Sequence, residues 1–308
     1  MADHETRVLV CGVAVLDFVF NLDEMPRTAE KFRANSASIV GGGGAANGAV
    51  GISRLGGKAH LACRIGDDVL ADLIVRELLA EGVDCQLVRR FAGRQSSFSS
   101  IFIDGQGERQ IVNFRDMDIS FDADWIAAGV PDGLKAVLAD TRWPQGAGKA
   151  MEIARERGIP GVLDVEAPAS ESLEAIALAS HAAFSAQGLR DMTAESGLAE
   201  GLLKLRELPA MRSFDGWAGV TDGGQGVFYL EGNSVVHVPA FAVHVVDTLG
   251  AGDLWHAAFA LRLAEGADVK EAIVFANAAA AIKCTRHGGR LGMPDREETE
   301  AFLRARNA

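Results

Sequence analysis

The stretch Val246-Asp247-Thr248-Leu249-Gly250-Ala251-Gly252-Asp253 follows two segments rich in β-branched and aromatic residues, 234–238 and 241–246. An alanine- and leucine-rich segment then continues to Ala264. This change of composition predicts a turn that joins a strand to a helix. The first N–H groups of a helix are unpaired and lie at the positive end of its dipole. Because residues 250–252 are small, the stretch predicts a site where an anion contacts the backbone.

Asp253 is a carboxylate at the edge of this predicted anion site. Charge repulsion makes a carboxylate a poor ligand for phosphate, but its position suits it to accept a proton. An anion hole beside a base is the arrangement that phosphoryl transfer to a hydroxyl requires. The alternative for a lone Gly-x-Gly-Asp is an ordinary helix start, in which Asp253 only interacts favourably with the helix dipole.

The overall composition is that of a soluble globular protein: 308 residues, 48% hydrophobic and 23% charged. A net charge of −12 argues against nucleic acid or an anionic membrane as the main partner. Four cysteines without a Cys-x-x-Cys pair favour reduced thiols. The polar segment 1–7 does not resemble a signal peptide, and no apolar run has the length of a membrane span. We therefore expect a cytoplasmic protein.

The N-terminal part contains two candidate ligand sites. Residues 8–20 form an apolar run that predicts a buried strand, and Asp17 lies near its end as a turn residue or a ligand. Four glycines, 41–44, then precede a helix predicted to reach Leu55. They fit a hinge, a close approach of the backbone to a ligand, or tight packing of a helix start. Neither a Walker A motif nor a Gly-x-Gly-x-x-Gly motif is present here.

The remaining pattern predicts an α/β fold. Short apolar segments at 136–139, 161–165, 182–185 and 219–221 alternate with helical stretches, which is typical of a doubly wound, mostly parallel sheet flanked by helices. Segments 96–103 and 109–114 flank Asp104-Gly105-Gln106-Gly107, a hairpin signal. We expect one domain over 1–308, with a small β-sheet lid formed by segments near 14–40 and 96–115.

The string Asp-Thr-x-Gly-Ala-Gly-Asp at 247–253 resembles the C-terminal signature of the ribokinase/PfkB carbohydrate kinases, and the resemblance extends over almost the full chain. It implies a ribokinase-like fold, ATP with Mg²⁺ as cosubstrate, and a monovalent cation such as K⁺ as a further cofactor. It also implies a role for individual residues: Asp253 as base, Gly250, Ala251 and Gly252 as anion hole, Asp17 and Asn47 as sugar ligands, Gly41-Gly42 as hinge, and Thr221, Gly223, Gly226 and Asn277 at the nucleotide.

One departure from the family pattern concerns magnesium. Many members carry an Asn-x-x-Glu motif, whereas the matching strand end here has Ser185-Ala186-Gln187-Gly188. The missing carboxylate means that the outer shell of the metal is arranged differently. Asp164 and Glu166 are candidates that would act through water; alternatively, they only cap a strand.

Within the family, the stretches 109–114, 139–143 and 283–290 resemble sulfofructose kinases most, followed by ketohexokinase-like enzymes. That resemblance implies phosphorylation of the C1 hydroxyl of 6-deoxy-6-sulfofructose, with Lys31, Asn113 and Arg142 at the sulfonate. A lysine, an arginine and an amide suit a compact anion. The alternatives are fructose, another neutral or phosphorylated sugar, a nucleoside, or a sensor without catalysis. Apolar residues on both faces of the hairpin predict a homodimer formed through the lids.

Overall fold

The computed structural model describes residues 5–306, so residues 1–4 of the polar segment 1–7 lie outside it. The described chain forms thirteen strands and ten α-helices. The strands are β1 (Arg7–Gly12), β2 (Val15–Asn21), β3 (Ser36–Gly42), β4 (Lys58–Gly66), β5 (Val88–Phe91), β6 (Phe98–Ile103), β7 (Arg109–Phe114), β8 (Leu134–Asp140), β9 (Gly161–Val165), β10 (His181–Ser185), β11 (Trp217–Thr221), β12 (Val227–Glu231) and β13 (Ser234–Val238). The helices are α1 (Gly44–Arg54), α2 (Val69–Ala80), α3 (Trp125–Gly129), α4 (Pro144–Arg157), α5 (Leu173–Leu178), α6 (Ala186–Thr193), α7 (Leu198–Leu205), α8 (Ala251–Ala264), α9 (Val269–Cys284) and α10 (Arg296–Arg306).

Nine strands form the large sheet in the order β13-β12-β11-β10-β9-β8-β1-β4-β5. All neighbours from β5 to β11 are parallel, and only the pairings of β11 with β12 and of β12 with β13 are antiparallel. Successive residues of β1 are buried in opposite directions: Val8 and Val10 belong to one core, Leu9 and Cys11 to the other. Helices α1, α8 and α9 cover the first face, while α4, α5 and α7 cover the second. The doubly wound, mostly parallel sheet predicted from the sequence is confirmed.

Four strands form a separate small sheet in the order β3-β2-β6-β7. Its β6–β7 hairpin confirms the turn signal at 104–107, where the Asp104 carboxylate accepts hydrogen bonds from the N–H groups of Gln106 and Glu108. Asp17, Ser99 and Asn113 are paired across β2, β6 and β7, so their side chains lie in one row on the same face.

The single strand predicted over 8–20 is wrong, because the chain forms β1 and β2 with a break between them. At the break, the N–H of Val13 donates to the Asp140 carboxylate at 3.0 Å instead of continuing the ladder. The absence of a side chain at Gly12 makes room for that carboxylate, which lies 2.2 Å from where a Cβ would stand. Asp17 therefore lies within β2 of the small sheet, not at the end of a strand of the large one.

The strand predicted over 241–246 is also wrong. The N–H of Val246 donates to the carbonyl oxygen of Cys284 at 2.7 Å, at the end of α9, and Phe241 packs edge-on against Phe302 of α10 at 5.3 Å. The segment thus contacts α9 and α10 instead of pairing with a strand, so the turn before α8 is reached from an irregular segment. Within residues 5–306, no helix combines the length and apolar character needed to cross a membrane. The four cysteines are free.

Candidate active site

Helix α8 begins at Ala251, directly after Gly250, which has a φ of +76°. This left-handed conformation favours glycine and turns the chain into the helix. The N–H of Ala251 donates to the carbonyl of Thr248 at 3.1 Å, so one of the three predicted anion-hole residues uses its N–H within the turn. Helix geometry leaves the N–H groups of Gly252 and Asp253 without intrahelical acceptors, and these are available to an anion.

Asp253 is linked by hydrogen bonds to the start of α1. Asn47 Nδ2 donates to Asp253 Oδ2 at 2.7 Å, and Asn47 Oδ1 accepts from Arg290 Nε at 3.1 Å. The guanidinium of Arg290, whose residue is only 4% exposed, also donates to the carbonyls of Gly41 at 2.8 Å and Gly42 at 3.2 Å. This set of contacts connects α8, α1 and the end of β3 in the small sheet.

Glycine at 41 and 42 leaves room for the ends of two side chains. A Cβ at Gly41 would lie 2.2 Å from the guanidinium of Arg290, and a Cβ at Gly42 would lie 2.3 Å from Asp17 Oδ2. Burial raises the pKa of Asp17, against the effect of a hydrogen bond from Ser99. Of the alternatives for these glycines, tight packing therefore describes what both do in this structure, while a hinge role stays a prediction.

Several carboxylates gather where β8 and β9 end. Asp140, Asp164 and Asp253, together with His256, line a cavity of about 10 Å³, close to the smallest volume that holds one water. Burial raises the pKa of Asp253 to about 6, and the nearby charges of Glu166 and Asp140 add to the effect. The pKa of Asp164 is raised well above its usual value by burial, and by repulsion from Glu166 and Asp253. Burial lowers the pKa of His256 to about 3, so its contact with Asp164 at 3.2 Å involves a neutral imidazole.

The two acids considered for magnesium have different partners. Glu166 forms an ion pair with Arg142, whereas Asp164 contacts only His256 among ion-pair partners in the described chain. In residues 5–306, no three His, Cys, Asp or Glu side chains are arranged to hold a metal ion directly. The mutual repulsion that raises the carboxylate pKa values would be relieved by a cation brought in with ATP. A role of Asp164 and Glu166 in binding magnesium through water remains a prediction.

Two large cavities share one wall, the segment 245–252. A cavity of about 530 Å³ lies against the small sheet and is lined on this side by Val246, Asp247 and Leu249. A second cavity, of about 370 Å³, is lined from the opposite side by Val245, Thr248, Ala251 and Gly252. Val19 of the first cavity lies on the same face of the small sheet as Asp17. The segment before Asp253 thus separates two spaces that are each large enough for a ligand.

The predicted nucleotide residues Thr221, Gly223, Gly226 and Asn277 all line the second cavity. Thr221 is at the end of β11, as expected for a ligand site of an open α/β sheet. The amide of Asn277 is engaged within the protein: its Oδ1 accepts from Trp255 Nε1 at 2.8 Å, and its Nδ2 donates to the carbonyl of Pro239 at 3.1 Å. Asn277 therefore holds two parts of the cavity wall together through these hydrogen bonds.

The three predicted sulfonate residues are in different settings. Asn113 is exposed on β7, in the row of Asp17, and Lys31 is exposed on the connection between β2 and β3. Arg142 follows β8; it pairs with Glu166 and donates to the carbonyl of Ala167 at 3.2 Å. Asn47 accepts a hydrogen bond from Arg290 and donates one to Asp253, and the charge of Arg290 acts on Asp17. Among the described residues, no contact joins Lys31, Asn113 and Arg142.

Sequence reasoning assigned no role to Asp140, His256, Lys283 or Arg290, although the structure places all four near the site. Asp140 accepts from the N–H of Val13 at 3.0 Å and of Ala45 at 2.8 Å, and thereby fixes the break after β1 and the start of α1. For two of them the sequence offered a signal, a charged residue at the end of an apolar run: Asp140 ends the run 136–140, and Lys283 ends the run 278–283. Buried charges of this kind require partners.

Comparison with known proteins identifies the family of the chain. Residues 5–296 match the family model described as pfkB family carbohydrate kinase. Ribokinase of Bacillus subtilis is 30% identical over 96% of this chain and 99% of its own length. Deoxyribokinase of Salmonella typhimurium is 26% identical over 96% and 98%. A solved structure from Agrobacterium tumefaciens is 34% identical, covers 99% of both chains and superposes with a TM-score of 0.88.

An acid at a helix start, beside a wall between two cavities, is an arrangement that suits phosphoryl transfer to a small molecule. The chain belongs to the pfkB family of carbohydrate kinases, whose members are ATP-dependent phosphotransferases and use ATP with Mg²⁺. The resemblance drawn from the stretch 247–253 is therefore confirmed at the level of the family, fold and enzyme class.

The raised pKa of Asp253 leads to a pH prediction. A general base works in its deprotonated form, so kcat/KM should rise with pH through about 6 and level off above it. The measurement is kcat/KM between pH 5 and 8 for the wild type and for Asp215→Asn, an exposed acid outside the cluster. Both should show the same rise. A rate that stays constant over this range would contradict the assignment of a base with a raised pKa.

Proposed function

We propose that the chain transfers the γ-phosphoryl group of ATP to a primary hydroxyl of a sugar, with Asp253 as the base and the turn at Gly250–Gly252 as the anion hole. The observation that carries this proposal is the position of Asp253 just behind the wall that separates the two large cavities. A sugar on the small-sheet side and ATP on the other side would meet at the start of α8. There the free N–H groups and the carboxylate are adjacent.

In the proposed reaction, the sugar hydroxyl oxygen attacks the γ-phosphorus while its proton passes to Asp253. The bond from that phosphorus to the β-γ bridging oxygen breaks, and ADP leaves. The hydrogen bond from Asn47 to Oδ2 orients the carboxylate, so that Oδ1 is the oxygen available to the substrate. The N–H groups of Gly252 and Asp253 would stabilise the charge that develops on the phosphoryl oxygens.

We further propose that the small sheet, within the expected lid segments 14–40 and 96–115 of a single domain, covers the sugar. Asp17 would bind hydroxyls from its inner face. An ion pair between Arg109 of β7 and Asp247, 3.2 Å long, connects the sheet to the wall segment. Exclusion of water by such a cover limits wasteful hydrolysis of ATP.

The sugar proposed first is 6-deoxy-6-sulfofructose, phosphorylated at C1. Its support is the match of the sequence stretches around Lys31, Asn113 and Arg142. Asn113 shares a row of the sheet with Asp17, so one face would present both a hydroxyl ligand and a sulfonate ligand. Because Arg142 is paired with Glu166, a sulfonate would have to compete for that guanidinium.

An uncharged pentose is the second candidate, favoured by the relatives that are named for ribose and deoxyribose. A neutral sugar needs only hydroxyl ligands such as Asp17 and Asn47, and it would leave the Arg142–Glu166 pair intact. The two candidates therefore differ in whether basic residues contribute to binding.

A substrate panel tests the choice of sugar. Sulfofructose, fructose, fructose 6-phosphate, ribose, deoxyribose and adenosine are each supplied with ATP and magnesium, and ADP formation is measured. We expect kcat/KM to be highest for sulfofructose and to fall roughly 10-fold or more on Arg142→Met with that substrate, since a charge-assisted hydrogen bond is lost. Equal or better turnover of a neutral sugar would reject the sulfonate assignment and leave the kinase intact.

The role of Asp253 has a separate test. Asp253→Asn should lower kcat by roughly 10²–10⁴-fold, the usual contribution of a general base. Affinity for ATP should change little, because Asn has the same shape and the anion hole consists of N–H groups. The measurements are kcat, the ATP dissociation constant and the melting temperature, with Asp215→Asn as control. If Asp253 only caps the helix, kcat stays near the wild-type value and stability drops slightly.

We also propose a homodimer formed through the small sheets. On the face opposite Asp17, Val112 is 60% exposed and Phe114 is 37% exposed, next to a row of packed phenylalanine rings. Light scattering at micromolar concentration should give twice the 32.5 kDa mass of the chain, and Val112→Asp should give a monomer. Leu203→Asp, at an exposed position of α7, is the control that should remain dimeric. A monomeric wild type would reject the dimer.

A further inference from the structure

Lys283 is the one fully buried lysine in the described part of the chain. It lies in the last turn of α9, after a run of alanines, and its side chain is 0% exposed. Lysine is almost never fully buried without partners, because removing an ammonium from water is costly. The position therefore requires an explanation that packing alone does not give.

The ammonium is surrounded by oxygen acceptors. Lys283 Nζ donates to the main-chain carbonyl of Asp247 at 2.7 Å and to that of Arg286 at 3.4 Å, and it lies 3.4 Å from Asp247 Oδ2. An ammonium has three N–H donors and no acceptor, which matches three oxygens. Burial lowers the pKa of Lys283, and the charge of Asp247 opposes that effect.

These contacts fix the segment that enters the anion turn. The Asp247 carboxylate also accepts from the N–H of Leu249 at 2.9 Å and of Gly288 at 3.0 Å, and it meets Arg109 of the small sheet. Only two residues, Thr248 and Leu249, lie between Asp247 and Gly250. Without a cation at this point, a buried carbonyl and a buried carboxylate would lose their main charged partner.

The resemblance to the family implied a monovalent cation such as K⁺. Main-chain carbonyl oxygens coordinate K⁺, and carboxylates attract cations, so a carboxylate with carbonyls is an oxygen set that such an ion can take. At Asp247 and Arg286, however, the ammonium of Lys283 already contacts those oxygens, so K⁺ does not fit beside it. The residues at this position therefore do not fit a bound monovalent cation.

We propose that the Lys283 ammonium acts as a built-in monovalent cation that positions the Gly250–Gly252 turn, and that the enzyme consequently needs no added K⁺. Lys283 is in this sense a positioning residue. The proposal rests on the proposed role of that turn as the anion hole. A tethered cation is present at every salt concentration, whereas a free ion must be bound from solution.

The test compares ion dependence in matched variants. ADP formation is measured in K⁺, NH₄⁺ and tetramethylammonium chloride at constant ionic strength. The wild type should vary by less than about 2-fold, since its cation is covalently attached. Lys283→Ala should lose roughly 10²-fold in kcat in tetramethylammonium, the scale of a displaced catalytic turn, and recover in K⁺ or NH₄⁺. Lys283→Met fills the space and should not recover. Lys270→Ala, an exposed lysine of the same helix, should behave as wild type.

The melting temperature supplies a readout that does not depend on turnover. K⁺ or NH₄⁺ should raise that of Lys283→Ala by about 2 °C and leave that of the wild type unchanged. A wild type strongly activated or stabilised by K⁺ overturns the proposal, as does full activity of Lys283→Ala without K⁺ when its melting temperature is also independent of the ion. If the anion-hole role is wrong instead, the ion-dependent stability remains while kcat of Lys283→Ala stays at the wild-type level.

Discussion

The geometry of the site depends on the hydrogen bonds that the buried guanidinium of Arg290 donates. It donates to two carbonyls at the end of β3 and to Asn47, and through Asn47 it determines the orientation of the Asp253 carboxylate. A planar group with several fixed donors can join three elements in one plane, which an ammonium on a flexible stem cannot do. Through these hydrogen bonds, the Arg290 side chain connects the end of β3 in the small sheet to the first turn of α8.

Around that contact, the site combines charges of opposite sign at very short range. Asp140, Asp164, Glu166 and Asp253 repel one another, and burial raises the pKa values of three of them. The N–H groups at the start of α8 lie beside them and favour negative charge. These carboxylates therefore repel one another in a way that MgATP, which carries both a metal and an anion, would relieve when it binds.

The fold and the site were predictable to different extents. The alternation of short apolar segments with helices was sufficient for the large sheet, and the turn residues 104–107 for the β6–β7 hairpin. Two strands were wrongly predicted because their hydrogen bonds go elsewhere: Val13 to the Asp140 carboxylate, and Val246 to the end of α9. A local pattern contains no information about such long-range partners. For the same reason, Arg290 and Lys283 were visible in the sequence only as isolated charges, since the carbonyls of Gly41 and Asp247, to which they donate at 2.8 and 2.7 Å, lie more than 30 residues away.

The wall formed by segment 245–252 has a consequence for how such an enzyme can diverge. Its residues are divided between the two cavities, so a bulkier side chain on one side of the wall would shift the backbone that lines the other. On the proposed assignment of the two cavities, the nucleotide would constrain this segment, and new sugar preferences would accumulate most readily on the opposite boundary, the inner face of β2, β6 and β7. Under that assignment, the acid at the start of α8 and the small-sheet face that would contact the sugar belong to different parts of the chain, so that one could change while the other is preserved.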